Sequence, residues 1–230
     1  MRTFDLSSPS PEIAKAVSTS PRRGEVFRHP IVRLTPLFAI CLFLAGGGLI
    51  AQALYMPAKA KVAQALLERA WADAKTGDGN AAPWPWADAK VFGVLTAPRL
   101  DARAVLLSEA SGEAMAFAPG HMSATPRPGA RGVSVLAAHR DTHFAFLKDL
   151  VPGDAVSVET AEGVFSYVVE GAEIVRWDAS GLDPHAPGER LALVTCYPFN
   201  ATHAGGPLRY VVYASRRPAR PQPAPGVTKS

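Results

Sequence analysis

The chain has 230 residues, 48% of them hydrophobic, and a formal net charge of +4. That supply of apolar side chains excludes global disorder. The positive charge sits in the tails: residues 1–36 carry six Lys/Arg against three acids, and residues 216–230 carry four Lys/Arg and no acid. Residues 57–215 have 14 basic and 17 acidic side chains, a balance of −3, so the body has no polyanion-binding footprint and nucleic acid is excluded as a partner.

In chain order, residues 1–36 are rich in Ser, Pro and charge and read as a disordered tail. Leu37 to Met56 follows, 20 residues without a charge, long enough to span a hydrocarbon core as a helix. Ala51-Gln52-Ala53 resembles a leader-peptidase site, but 36 residues before the apolar run make a long leader, which favours an uncleaved anchor. Lys and Arg are nearly balanced on the two sides of the run, so charge alone leaves the orientation open. Residues 57–82 read as a juxtamembrane helix, with apolar positions at Val62, Leu66 and Ala70 and an end at Gly77, and then a turn-rich linker. Trp84 and Trp86 are expected to anchor a domain edge or a membrane interface.

From residue 83 to 215 the period shortens. Seven β-branched runs are separated by Gly, Pro and Asp turns such as Pro152-Gly153-Asp154: residues 91–100, 103–110, 132–139, 155–160, 164–176, 190–196 and 209–215. This predicts a mostly β domain, a closed or nearly closed antiparallel barrel or a sandwich, with helical inserts at 111–117 and 143–150. Residues 216–230 read as a disordered Pro-rich tail.

The chain has two cysteines, Cys41 in the apolar run and Cys196 in the body, so a disulfide between them is not expected. Three polar residues fall at ends of expected strands: His139, Cys196 and Arg209. A thiol titrating near about 8.5 is a poor nucleophile at neutral pH unless a base or cation activates it. His139 is suited to pair with a thiolate and to protonate a leaving amine. Arg209 keeps its charge and is suited to donate to a substrate carbonyl or a developing oxyanion. Asp141 is placed either to orient His139 or to cap the helix near His143, the cap being favoured. Thr195 is a candidate to line the site or to satisfy local backbone groups. Two other readings stay open on the residues alone. One is a metal-dependent hydrolase using His139 and His143, four positions apart, with Asp141 between them and His203 and Cys196 downstream. The other is a non-catalytic, membrane-tethered binding barrel in which Cys196 is packing.

The wording around these residues narrows the choice. "HRDTHFAFLKDLVPGD" at 139–154 followed by "LVTCYPFNATHAGGPLRYVV" at 193–212 resembles the sortases, membrane-anchored cysteine transpeptidases. With "PWPWADAKV" and "SGEAMAFAPGH" the resemblance runs from about Pro83 to Ser215, and its wording is similar to the Gram-negative, marine proteobacterial branch. One departure is Ala138, where that branch has Gly. A third chemistry, the thiol transpeptidases that crosslink peptidoglycan, fails, because no His lies just before Cys196. The resemblance implies an eight-stranded barrel with Cys196, His139 and Arg209 as the catalytic set. It further implies cleavage of a C-terminal Leu-Pro-x-Thr-Gly-like signal on a dedicated surface or secreted protein, through a thioester resolved by an amine. No metal or other cofactor is expected, since no acidic cluster suggests calcium. The anchor would hold the domain on the periplasmic side of the inner membrane, with the N-terminus in the cytoplasm.

Overall fold

The computed structural model describes residues 31–77, 79–203 and 205–217. Most of the two expected tails therefore lies outside the described residues. Eight strands follow one long helix, α1 (Ile31–Thr76): β1 (Val91–Ala97), β2 (Ala102–Leu107), β3 (Gly120–His121), β4 (Gly132–Ala137), β5 (Ala155–Thr160), β6 (Gly163–Arg176), β7 (Glu189–Cys196) and β8 (Leu208–Arg216). They close into a barrel in the order β1-β2-β3-β4-β7-β8-β6-β5. Closure removes the exposed edges that an open sheet of such apolar strands would present.

The barrel is mixed where the strand pattern suggested an antiparallel one. β2 pairs with β3, and β4 with β7, in parallel. Two residues suffice for β3, too few for any alternation to show in the sequence. The first strand stops at Ala97, earlier than the run to Leu100 suggested, because Pro98 has no N–H to offer and instead starts a short 3-10 turn, Pro98–Leu100. Both expected helical inserts appear as 3-10 turns, Ala114–Ala116 and Ala145–Asp149.

The barrel interior holds Leu95, Leu106, Leu136, Leu191, Leu193 and Val212, each at most 1% exposed, and is closed at one end by Phe144 and Leu147. β1 is buried on both faces, because its outward residues Val91 and Val94, with Val105 and Leu107 of β2, are covered by Leu67, Ala70, Trp71 and Ala74 of α1. Those helical positions recur every three or four residues and form one stripe. Of the expected apolar positions Ala70 belongs to this stripe, whereas Val62 and Leu66 are 59% and 37% exposed. The face that α1 presents to β1 and β2 is thus made of Leu67, one Trp and small residues.

α1 is continuous across two of the expected segment limits. It begins at Ile31, inside the segment read as tail, and runs without a break through Pro57. Each proline within it removes one backbone hydrogen bond, but the Ala-, Leu- and Lys-rich stretches on either side carry the helix through. Internal contacts divide the chain between Ala53 and Leu54. The helix is long and apolar enough to cross a membrane, with a mean hydropathy of 2.1 over its most apolar window and no part of that window buried.

Candidate active site

Strand direction decides what meets at one rim. β4 and β7 run parallel with Ala137 opposite Val194, so their C-terminal ends lie at the same level. Beyond the ladder, the Ala138 N–H donates to the Val194 carbonyl at 3.2 Å. The buried Thr195 hydroxyl then donates to the Ala138 carbonyl at 2.7 Å. These two bonds carry the pairing to within one residue of His139 and Cys196. β8 runs antiparallel to β7 with Cys196 directly opposite Arg209. The three residues separated by 57 and 13 positions in the chain thus occupy neighbouring strand ends, with β7 in the middle.

Cys196 ends β7 half-buried, and its thiol is free, as is that of exposed Cys41. Among the described residues neither the Cys196 thiol nor the His139 ring is engaged in a hydrogen bond, so both heads are available to a substrate. Arg209 anchors Nη1 on the carbonyls of Gly206 and Leu208, at 2.8 and 2.9 Å, which leaves its other N–H groups for an incoming acceptor. Gly206 has φ +96°, a conformation that costs a side chain strain, and this sets the carbonyl Arg209 uses.

The turn after His139 is closed by backbone bonds, Phe144 N–H to the His139 carbonyl at 3.1 Å and Ala145 N–H to the Thr142 carbonyl at 3.3 Å. The following 3-10 turn has no side-chain cap, and exposed Asp141 makes no hydrogen bond among the described residues. Asp141 therefore caps nothing, contrary to expectation, because the turn's N–H groups are already satisfied by main-chain carbonyls. The methyl of Ala138 lies in the barrel core at 5% exposure. Thr195 is 2% exposed and its hydroxyl is committed to Ala138, which makes it a strap between the two strands where a lining residue was the alternative.

His143 turns inward from the same segment. Burial holds its imidazole below the ordinary value, the nearby His139 charge acts in the same direction, and the Phe117 carbonyl opposes both. That carbonyl also accepts from Gln64 of α1 at 2.8 Å. His203 is exposed, its Nδ1 3.0 Å from the Thr202 hydroxyl. Among the described residues no group of three or more His, Cys, Asp or Glu side chains is placed to hold a metal ion.

A family description, "Sortase domain", matches residues 95–217, which includes every residue of this rim. The chain belongs to the sortase family. Sortase D of Bacillus subtilis (strain 168) is 30% identical over 125 residues, 54% of this chain and 63% of that relative, so the chain spans a little less than two thirds of the curated relative's length. Among solved structures, sortase C1 of Streptococcus agalactiae superposes with a TM-score of 0.52 at 21% identity, over 70% of this chain and 89% of that one. Sortase C-1 of Actinomyces oris gives 0.50 at 22%, over 56% and 74%. At such identities the likeness is one of fold.

Two features of this sortase rim had no flag in the sequence. An aromatic group borders Cys196 and Arg209: Tyr197 stacks on Tyr210 at 6.4 Å, and Phe199 meets Tyr210 edge-on at 5.2 Å. The "CYPF" wording was the available signal, since residues that flank a nucleophile in the chain flank it in space. The second feature is Arg140, which directly follows His139 and is 7% exposed.

Proposed function

We propose that this sortase is a membrane-anchored cysteine transpeptidase that cleaves a C-terminal Leu-Pro-x-Thr-Gly-like signal and transfers the new C-terminus to an amine. The observation that carries the reading is the strand arrangement: parallel pairing of β4 with β7 and the Cys196–Arg209 register bring nucleophile, base and cation to one rim. In the first step the Cys196 thiolate attacks the threonine carbonyl, and Arg209 donates to the oxyanion as it forms. The Thr–Gly C–N bond breaks, and the protonated His139 gives its proton to the departing amine. The acceptor amine then attacks the thioester carbonyl, loses its proton to His139 and expels the thiolate, so the enzyme returns unchanged and no oxidant or cofactor is needed. A Leu37–Met56 anchor would hold enzyme and a membrane-tethered partner in two dimensions and raise their effective concentration.

On this reading residues 37–56 span the inner membrane once, residues 83–215 work in the periplasm and the N-terminal segment is cytoplasmic. The partner is a dedicated surface or secreted protein with its own C-terminal signal. The motif wording supports the Gram-negative branch. Arg209 follows from its register with Cys196, and Thr195 acts as the strap described above, with no contact to substrate.

The test is intact mass of the full chain after incubation with a set of such peptides, with Cys196→Ala as control. A mass gain equal to the N-terminal peptide fragment, absent from the control, is expected. No adduct from any peptide, combined with a thiol inert to alkylating agents at neutral pH, would replace this reading with the binding barrel.

A further inference from the structure

Arg140 is a charged side chain, 7% exposed, in a position the proposed chemistry does not use. It leaves the turn that carries His139, and its Nη2 donates to the carbonyls of Ala201 at 3.2 Å and His203 at 2.5 Å. Both acceptors belong to the loop that joins β7 to β8, hence the loop between Cys196 and Arg209. Residues 200–203 of that loop are themselves exposed. Among the described residues their other bonds are local: the Ala201 N–H to the Pro198 carbonyl, and the Thr202 hydroxyl with the His203 ring. A buried guanidinium under an exposed loop is therefore what ties the tip of that loop to the β4 side of the site.

Stability alone does not account for this choice. Burying a cation carries a desolvation cost that an apolar side chain of similar volume avoids, and among the described residues Nη1 is buried without a hydrogen-bond partner. What the guanidinium supplies, and an apolar filler does not, is two N–H donors on Nη2 for two carbonyls of one loop, and unlike a lysine nitrogen these are fixed in a plane and lie one bond farther from the backbone.

We propose that Arg140 is a positioning residue of the catalytic rim: it latches the β7–β8 loop onto the His139 turn and so fixes His139 relative to both Cys196 and Arg209. The proposal rests on the transpeptidase reading. It predicts an effect on the chemical step and little on binding of the signal, because reacting groups that drift by about 1 Å can lose on the order of 10²-fold in rate.

The test uses the full chain with one peptide accepted by the parent and an amine acceptor. Arg140→Lys keeps charge and most of the volume, but its nitrogen ends one bond short of Nη2 and has no planar group to fix its N–H directions, and the variant is expected to lose about 10²-fold in kcat with KM little changed and thermal melting close to parental. In Arg140→Ala, free guanidinium ion is expected to restore kcat in a saturable way, and hydrogen exchange at residues 199–203 to rise and fall back with it. Parental kcat in Arg140→Lys would overturn the proposal, as would a loss that guanidinium leaves untouched while melting drops, the signature of a structural role alone. If Arg140→Ala does not fold, the kcat and KM of Arg140→Lys decide by themselves. A parent chain that forms no thioester would bring down the transpeptidase reading and this proposal together, and it would show before any variant is made.

Discussion

Two regions of the same barrel are built on opposite terms. On the flank, α1 covers β1 and β2 with Leu67 at 0%, Ala70 at 3% and Ala74 at 1% exposure, and apolar groups meet apolar groups. At the rim where β4 and β7 end and β8 begins, the side chains that matter keep free heads, and what is saturated is the backbone around them. The flank is optimised for burial, and the rim spends polar bonds on holding three strand ends in place. The contrast implies that changes on the flank alter stability and spare chemistry, whereas changes at the rim do the reverse.

The largest expected effect sharpens the rim half of that contrast. Arg209→Lys keeps a cation but not the fork, and Arg209→Ala removes it. Both are expected to lower transpeptidation by about 10²–10³-fold, the usual cost of deleting an oxyanion donor, with little change in melting temperature because Arg209 is only half-buried. A drop in melting with rates intact would make Arg209 a structural residue and blur the distinction. The mirror experiment is Leu67→Ala. A fully buried leucine replaced by alanine is expected to cost about 2–5 kcal/mol, read by chemical denaturation, while kcat per folded molecule stays parental. A large kcat loss there would show that the helix reaches the chemistry, and the Gln64–Phe117 bond beside His143 is the route it would take.

How far the sequence disclosed each region follows from the same contrast. The barrel was legible because seven of eight strands are runs of β-branched residues bounded by Gly, Pro and Asp. β3 was not, since two residues have no period. The parallel pairs were hidden too, because direction is a property of connections and leaves no trace in alternation. That omission mattered, as the β4–β7 pair is what sets His139 and Cys196 at one level. The catalytic candidates were visible as polar residues at strand ends and through a motif. The parts that hold them were not: Thr195 was open between lining the site and satisfying local backbone groups, the latter being what its bond to Ala138 does, and nothing in the sequence set Arg140 apart. On the flank the helix was legible from composition and Ala70 was placed correctly, but Val62 and Leu66 were expected where Ala63 and Leu67 are buried, since both pairs match a helical period.

Thr195 lies where the two terms overlap, and it is the sharper probe for that reason. Its hydroxyl is buried and bonds a carbonyl, so Thr195→Val leaves that carbonyl short of a partner and is expected to cost about 1–3 kcal/mol in denaturation. It should also lower kcat, because the bond lies one residue from both His139 and Cys196. Thr195→Ser keeps the donor and should restore both quantities to within a few-fold. Should Val lower stability while leaving kcat untouched, the strap would belong to the fold alone.

The smallest effect separates the interior from the rim by pH. His121 on β3 is 3% exposed and half-buried His143 sits beside the rim; burial is the first cause that lowers each below the ordinary value of 6.5, reinforced by Arg127 for His121 and by the His139 charge for His143. In the unfolded chain both regain the ordinary value, so between the folded and unfolded values the unfolded state binds more protons. Stability is then fully present above about pH 6.5 and is lost as pH falls through the window below it. Melting temperature is expected to decline from pH 7 toward pH 5, and His121→Gln should flatten the decline while sparing activity, because its Nε2 is engaged by the Pro126 carbonyl and the Thr125 hydroxyl and not by a residue of the candidate site. His143→Gln should flatten it too, and also disturb kcat through the turn that carries His139. Equal activity in the two variants would mean that the rim ends at His139, and that the contrast between the two regions is sharper than the shared segment suggests.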